Sequence, residues 1–114
     1  MTDCVFCKIL KGDIKTDFLY RDEYVACFKD LKPATPIHFL VIPVKHISNP
    51  AEVKDNDLSI IGKMFQATAK LAKDLGIEKA GYRMVINIGP DAGQEIPHMH
   101  LHILGGRRFS WPPG

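Results

Sequence analysis

Three of the five histidines in this 114-residue chain lie at alternate positions, His98, His100 and His102, with the apolar residues Met99 and Leu101 between them. In a β-strand, alternate side chains share one face and stand about 6.5 to 7 Å apart, so this run would present imidazoles on one face. A neutral imidazole, whose ordinary pKa is about 6.5, can attack phosphorus while a neighbouring histidine manages the proton of the leaving group. The run therefore predicts nucleophilic chemistry on a phosphate.

Two other interpretations of the histidine run stay open on the residues alone. A His-x-His pair on a strand can bind one zinc ion and leave an open position for water, which would make the zinc catalytic. The run can also be purely structural, with partly buried rings whose polar atoms bond to backbone carbonyls.

A phosphate also needs a binding loop, and the sequence contains no Walker-type Gly-x-x-x-x-Gly-Lys-Ser/Thr motif. We expect the segment 89–95 to take that role, because its glycines let backbone N–H groups approach an anion closely. The alternative is that this segment is a plain connection between two strands.

A second constellation is the pair Cys4 and Cys7, which are separated by two residues. Two thiolates and two imidazoles complete a tetrahedral structural zinc site, and His46 and His98 are the candidate imidazoles. A redox pair or two unrelated cysteines are the alternatives, and the odd total of three cysteines argues against a disulfide framework. The zinc interpretation leaves three histidines for phosphate chemistry, namely His38, His100 and His102.

The elements that must position these residues follow from hydrophobic periodicity and turn residues. The sequence predicts an α+β domain with a mainly antiparallel sheet, one long helix, and one short N-terminal helix that Asp3 would cap and Gly12 would end. The predicted strands are 18–21, 24–29, 38–44, 82–88 and 100–104, and the predicted helices are 6–10 and 57–75.

Length and composition predict a single domain over residues 1–114, since 46% hydrophobic residues suffice for one core. The net charge is +2, and no basic run would track a nucleic acid. The sequence shows neither a signal-peptide pattern nor an apolar run of the roughly 20 residues that a membrane span needs. We therefore expect a cytoplasmic protein that binds neither nucleic acids nor membranes.

The run from His98 to Leu104 resembles the alternating signature of the histidine triad (HIT) superfamily. Further segments are similar to its histidine triad nucleotide-binding branch, the purine nucleoside phosphoramidases, and the similarity extends from about Phe6 to the last residue. The matching segments are His38-Phe-Leu-Val-Ile-Pro-Val-Lys-His46-Ile-Ser, Gly81-Tyr-Arg-Met-Val-Ile-Asn87, Gly93-Gln94-Glu95, Leu104-Gly-Gly-Arg107 and Trp111-Pro-Pro-Gly114.

The resemblance implies hydrolysis of the P–N bond of adenosine 5′-phosphoramidates and of aminoacyl-adenylate-like compounds to AMP, with no cofactor required for catalysis. It implies that His100 is the nucleophile and becomes transiently adenylylated. It also implies that His102 and His38 contact the phosphate and relay protons, and that Asp30 accepts hydrogen bonds from the ribose hydroxyls. Within the superfamily, dinucleoside polyphosphate hydrolysis is the rival activity, and a nucleotide- or zinc-binding regulatory module is the rival class.

The resemblance also implies the remaining contacts of the nucleotide. Phosphate-side contacts would come from Asn87, Gly93, Gln94 and Glu95. An apolar slot for the base would come from residues for which core packing is the competing interpretation, namely Phe6, Ile9, Ile14, Phe28 and Leu31.

Members of this branch are homodimers whose sheets join, and the resemblance implies that Trp111 reaches the neighbouring subunit's site. Some microbial members hold a structural zinc ion at the positions of Cys4, Cys7, His46 and His98. One residue departs from the animal members, which carry a small hydroxyl residue at the position of Glu95. A carboxylate repels phosphate, so we expect the Glu95 backbone N–H to bind and the side chain to turn away.

Overall fold

The computed structural model describes residues 4–114 and confirms the predicted α+β class. Five strands form one antiparallel sheet in the order β1-β2-β3-β5-β4, and the sheet is accompanied by one short and one long helix. The elements are α1 Val5–Lys11, β1 Phe18–Arg21, β2 Val25–Lys29, β3 Ile37–Pro43, α2 Leu58–Asp74, β4 Tyr82–Ile86 and β5 Leu101–Gly105.

Each face of the sheet is covered by a different helix. The apolar side of α2 packs on one face, where Phe39 and Val41 of β3 belong to its core cluster. Helix α1 packs on the other face against Phe28, Leu40 and the neighbouring strand residues of the second cluster. Because side chains alternate along a strand, β3 contributes to both clusters.

Both ends of α1 are defined by capping residues. The predicted cap Asp3 lies outside the described residues, and Cys4 is the observed N-cap, with its Sγ accepting a hydrogen bond from the Cys7 N–H at 3.3 Å. Gly12 ends the helix in the left-handed region at φ 87°, as the sequence predicts.

One boundary differs from the prediction in a way that affects the histidines. Strand β5 begins at Leu101, one residue later than the predicted strand 100–104, so His100 directly precedes it, and His98 lies outside it as predicted. His98 follows Pro97 in a bend, and the Met99 N–H donates to the Ile47 carbonyl rather than to a strand neighbour. The ring of His98 therefore points away from the neighbouring rings of His100 and His102.

No helix among the described residues combines the length and apolar character needed to cross a membrane.

Candidate active site and metal centre

The ring of His100 is held by a backbone carbonyl. His100 lies directly before β5 with only 8% of its surface exposed, and its Nδ1 is 2.8 Å from the carbonyl oxygen of His98. A carbonyl oxygen only accepts hydrogen bonds, so Nδ1 carries the proton and donates it. In the neutral form of the ring the lone pair is therefore on Nε2, and Phe6 packs edge-on against the ring with centroids 5.2 Å apart.

His102 lies next to His100, with ring centroids 5.1 Å apart, and opposite Leu40 in the β3–β5 pair. Its Nδ1 is 3.0 Å from Nε2 of His38, and Oδ2 of Asp30 lies 3.4 Å from the same His38 nitrogen. Burial lowers the pKa of His102, and the adjacent rings of His100 and His38 lower it further. His102 is therefore neutral near pH 7.

A cavity of about 450 Å³ opens beside these rings. One end is apolar and lies against α1, and the other end is polar and carries the two histidines. Ten of the residues predicted for nucleotide binding line it, namely Phe6, Ile9, Phe28, Asp30, Leu31, Asn87, Gly93, Glu95, His100 and His102.

Other predicted residues lie elsewhere. Ile14 lines an adjoining apolar cavity, which shares Ile9 and Phe28 with the first. His38 lines a separate small cavity and contacts two residues of the main cavity, His102 at 3.0 Å and Asp30 at 3.4 Å. Trp111 is 81% exposed and lines none of the cavities described here.

The amide of Gln94 is occupied by contacts within the protein. Its Oε1 accepts from the Gly89 N–H at 2.9 Å, and its Nε2 donates to the carbonyls of Ser48 at 2.8 Å and Ile96 at 3.2 Å. The Gln94 side chain thus holds together segment 89–95, the segment predicted to bind phosphate. A phosphate contact from Gln94 stays a prediction.

Sequence reasoning missed several parts of the site. Leu40 and Ile96 line the cavity, and alternation along β3 from His38 would have placed Leu40 on this face. The carbonyl of His98 has no signal in the sequence, because every residue carries a carbonyl and only the folded chain selects which one is used.

The second group of chemistry-bearing side chains lies at the N-terminus of α1. The Nδ1 atom of His98 is 3.3 Å from Cys4 Sγ, 3.7 Å from Cys7 Sγ and 3.1 Å from Nδ1 of His46, and the distance from Cys7 Sγ to His46 Nδ1 is 3.3 Å. All four donor atoms lie within 4.8 Å of one another.

This donor set fits a structural zinc ion. Zinc bonds of 2.0 to 2.3 Å in a tetrahedron place neighbouring ligand atoms roughly 3.3 to 3.8 Å apart, close to the observed spacing. The tautomer of His98 also suits metal binding. Its Nε2–H donates to the Pro43 carbonyl at 2.9 Å, so Nδ1 is unprotonated and faces the other three donor atoms. Burial lowers the pKa of His98 to about 4, which keeps the ring neutral. A bound zinc would tie α1 to the segment before β5.

Comparisons with known proteins identify the class. The sequence model of the HIT domain family matches residues 11–109. An uncharacterized HIT-like protein of Synechocystis is 41% identical over 112 residues, which cover 98% of this chain and 97% of the relative. This chain belongs to the HIT domain family.

Solved structures agree with this membership. A HIT family hydrolase from Legionella pneumophila superposes with a TM-score of 0.94 at 41% identity, covering 98% of this chain and 100% of that chain. A histidine triad nucleotide-binding protein from Candida albicans superposes with a TM-score of 0.83 at 27% identity, covering 98% and 85% respectively. These structures share the HIT fold with this chain over nearly its whole length.

The cluster of two cysteines and two histidines predicts one zinc ion per chain. Protein purified without added metal is expected to contain close to one equivalent of zinc by elemental analysis, and Cys7→Ser should lose most of it, since removing one ligand weakens a four-ligand site. Cys27→Ala is the matched control, because Cys27 is fully buried on the α2 side of the sheet and should retain the metal. Less than about one-tenth equivalent in the unsubstituted protein would contradict the assignment.

Proposed function

We propose that this chain hydrolyses nucleoside 5′-phosphoramidates, releasing a nucleoside monophosphate and an amine. The observation that carries the proposal is the fixed ring of His100. Its Nδ1–H donates to the His98 carbonyl, so the lone pair is on Nε2. The ring itself lines the cavity. An oriented lone pair beside a second imidazole suits covalent attack on phosphorus.

The cavity also supports a nucleotide as the ligand. Phe6 and Phe28 form an edge-to-face pair with centroids 5.8 Å apart at its apolar end, which suits a purine base. Asp30 lines the same cavity, and a carboxylate can accept hydrogen bonds from both hydroxyls of a ribose. On this basis we propose AMP derivatives as substrates.

The proposed reaction has two displacements at phosphorus. His100 Nε2 bonds to the α-phosphorus and the P–N bond of the substrate breaks, so the electron pair goes to the amine, which takes a proton from water. Water then attacks the same phosphorus and gives up a proton to the solvent. The bond from phosphorus to Nε2 breaks, and AMP leaves with the lone pair restored to His100.

Removing the nucleophile tests this mechanism. His100→Ala should lower kcat/KM for adenosine 5′-phosphoramidate by at least about a thousandfold, as expected when a covalent nucleophile is lost. The assay follows AMP release, and retention of zinc by the variant controls for folding, because His100 is not among the four metal donors. Turnover at the unsubstituted rate would contradict the catalytic interpretation.

The same assay separates the alternatives. A dinucleoside polyphosphate hydrolase would cleave diadenosine polyphosphates faster than the phosphoramidate, and a regulatory module would bind AMP without cleaving either compound. We expect the phosphoramidate to be the better substrate.

Glu95 supports that preference. It is exposed and lines the cavity with His100 and His102. That its side chain turns away from the phosphate stays a prediction, but at this position its negative charge is still close enough to act on a charged leaving group. An anionic leaving group such as a polyphosphate would be repelled more than a neutral or cationic amine.

Neutralising this charge is therefore expected to change leaving-group preference. Glu95→Gln should raise kcat/KM for diadenosine polyphosphates relative to the phosphoramidate by about threefold, in line with a screened interaction of two charges. Asp91→Asn is the matched control, since Asp91 is exposed on the same loop and does not line the cavity. An equal effect of both substitutions would reject the role of Glu95.

We also propose a homodimer that joins the sheets of two copies. Strand β4 has β5 as its neighbour on one side and lies at the edge of the sheet. Large apolar side chains are exposed on α2 and just after β4, namely Leu58 at 59%, Phe65 at 53% and Ile88 at 48%, and such exposure is typical of an interaction surface. Phe65→Glu should therefore shift sedimentation from dimer to monomer. A monomeric unsubstituted protein would contradict this assembly.

A further inference from the structure

A chain of hydrogen bonds behind His102 begins at a backbone amide. The Ala34 N–H donates to Nδ1 of His38 at 3.0 Å, so this nitrogen must carry the lone pair. In a neutral ring the proton of His38 then resides on Nε2. That nitrogen is 3.0 Å from Nδ1 of His102 and donates to it.

The tautomer of His38 determines the tautomer of His102. Because Nδ1 of His102 accepts from His38, the proton of a neutral His102 resides on Nε2. Asp30 cannot reverse this order, since its Oδ2 is 3.4 Å from His38 Nε2 but 4.0 Å from His102 Nδ1. Its Oδ1 already accepts from the Lys32 N–H at 2.8 Å.

We infer that the Ala34 amide, acting through His38, holds His102 as a neutral Nε2–H donor that binds a non-bridging phosphoryl oxygen and does not transfer a proton to the leaving amine. The catalytic part of this inference rests on the proposed function. Ala34 and His38 are positioning residues, and His102 is the group that touches the phosphate.

Proton transfer is disfavoured by the same hydrogen bonds. If His102 gave up its Nε2 proton and took another from His38, the His38 ring would be left with lone pairs on both nitrogens. Since the ordinary neutral ring keeps one N–H, that product would be an imidazolate facing Asp30. A fixed donor instead stabilises charge on the phosphoryl oxygen in the transition state without changing protonation. The lowered pKa of His102 is consistent with this neutral role.

The hydrogen bond from the Ala34 N–H also disfavours metal binding by Asp30, His38 and His102. The ligand atoms of Asp30, His38 and His102 are close enough together to hold a metal ion. A metal on His38 Nε2 would require the proton on Nδ1, where it would face the Ala34 N–H at 3.0 Å. This group therefore remains a hydrogen-bond relay, and one zinc per chain is expected.

Nitrogen-15 NMR of histidine side chains tests the tautomers directly, without reference to any reaction. We expect His38 and His102 to be protonated at Nε2 and unprotonated at Nδ1. Ala34→Pro removes the N–H, so both rings should populate the other tautomer, whereas Ala34→Gly keeps the N–H and should preserve the original spectrum. The side chain of Ala34 is exposed, so neither change removes core contacts. Protonation of His38 at Nδ1 in the unsubstituted protein, or an unchanged spectrum in a folded Ala34→Pro variant, would overturn the inference.

A leaving-group series tests the catalytic part and remains informative if Ala34→Pro fails to fold. His102→Ala should lower kcat/KM by about a hundredfold, as for loss of one oxyanion donor, and by the same factor for weakly basic arylamine and strongly basic alkylamine leaving groups. His102→Gln, which retains an N–H donor but cannot act as an acid, should recover part of the loss. A factor that shrinks towards one for weakly basic amines would show proton transfer and overturn the inference. Absence of turnover in the unsubstituted protein, with the expected tautomers still present, would reject the proposed function and leave the positioning intact.

Discussion

The arrangement of the site depends on the hydrogen bonds and contacts of one residue, His98. Its Nε2–H bonds to the Pro43 carbonyl at the end of β3, and its Nδ1 faces the two cysteines of α1. Its backbone carbonyl accepts from His100 and thereby fixes the nitrogen proposed to attack. A single bend before β5 thus connects the Cys/His cluster, the sheet and the proposed nucleophile. Displacement of this bend would affect all three together.

Hydrogen bonds that select one tautomer recur in the histidines of the site. Burial lowers the pKa of both His98 and His102, and each ring has a partner that selects which nitrogen carries the proton. The partner is a backbone carbonyl for His98 and for His100. For His38 and His102 it is a chain of hydrogen bonds in which the Ala34 N–H is the first donor. Burial without these partners would leave tautomers mixed, so the backbone contributes as much to the chemistry as the side chains.

The sequence supplied the fold class, the strand order along the chain and the separation of His98 from the other histidines. These came from strong signals: alternation, helical spacing, and a Cys-x-x-Cys pair in need of two further ligands. It predicted the start of β5 one residue early, and it did not reveal that the Met99 N–H bonds to the Ile47 carbonyl outside the sheet. The closure of the loop by Gln94 and the use of the Ala34 amide were equally invisible. Both depend on tertiary placement of backbone groups that every residue possesses.

The central claim is covalent attack by His100, and the stereochemistry at phosphorus tests it most directly. Hydrolysis of an adenosine phosphoramidate that is chiral at phosphorus through sulfur substitution and oxygen isotopes gives a product whose configuration can be assigned. Two in-line displacements each invert the centre, so the account predicts net retention of configuration. Net inversion would show a single attack by water and would contradict a covalent intermediate on His100.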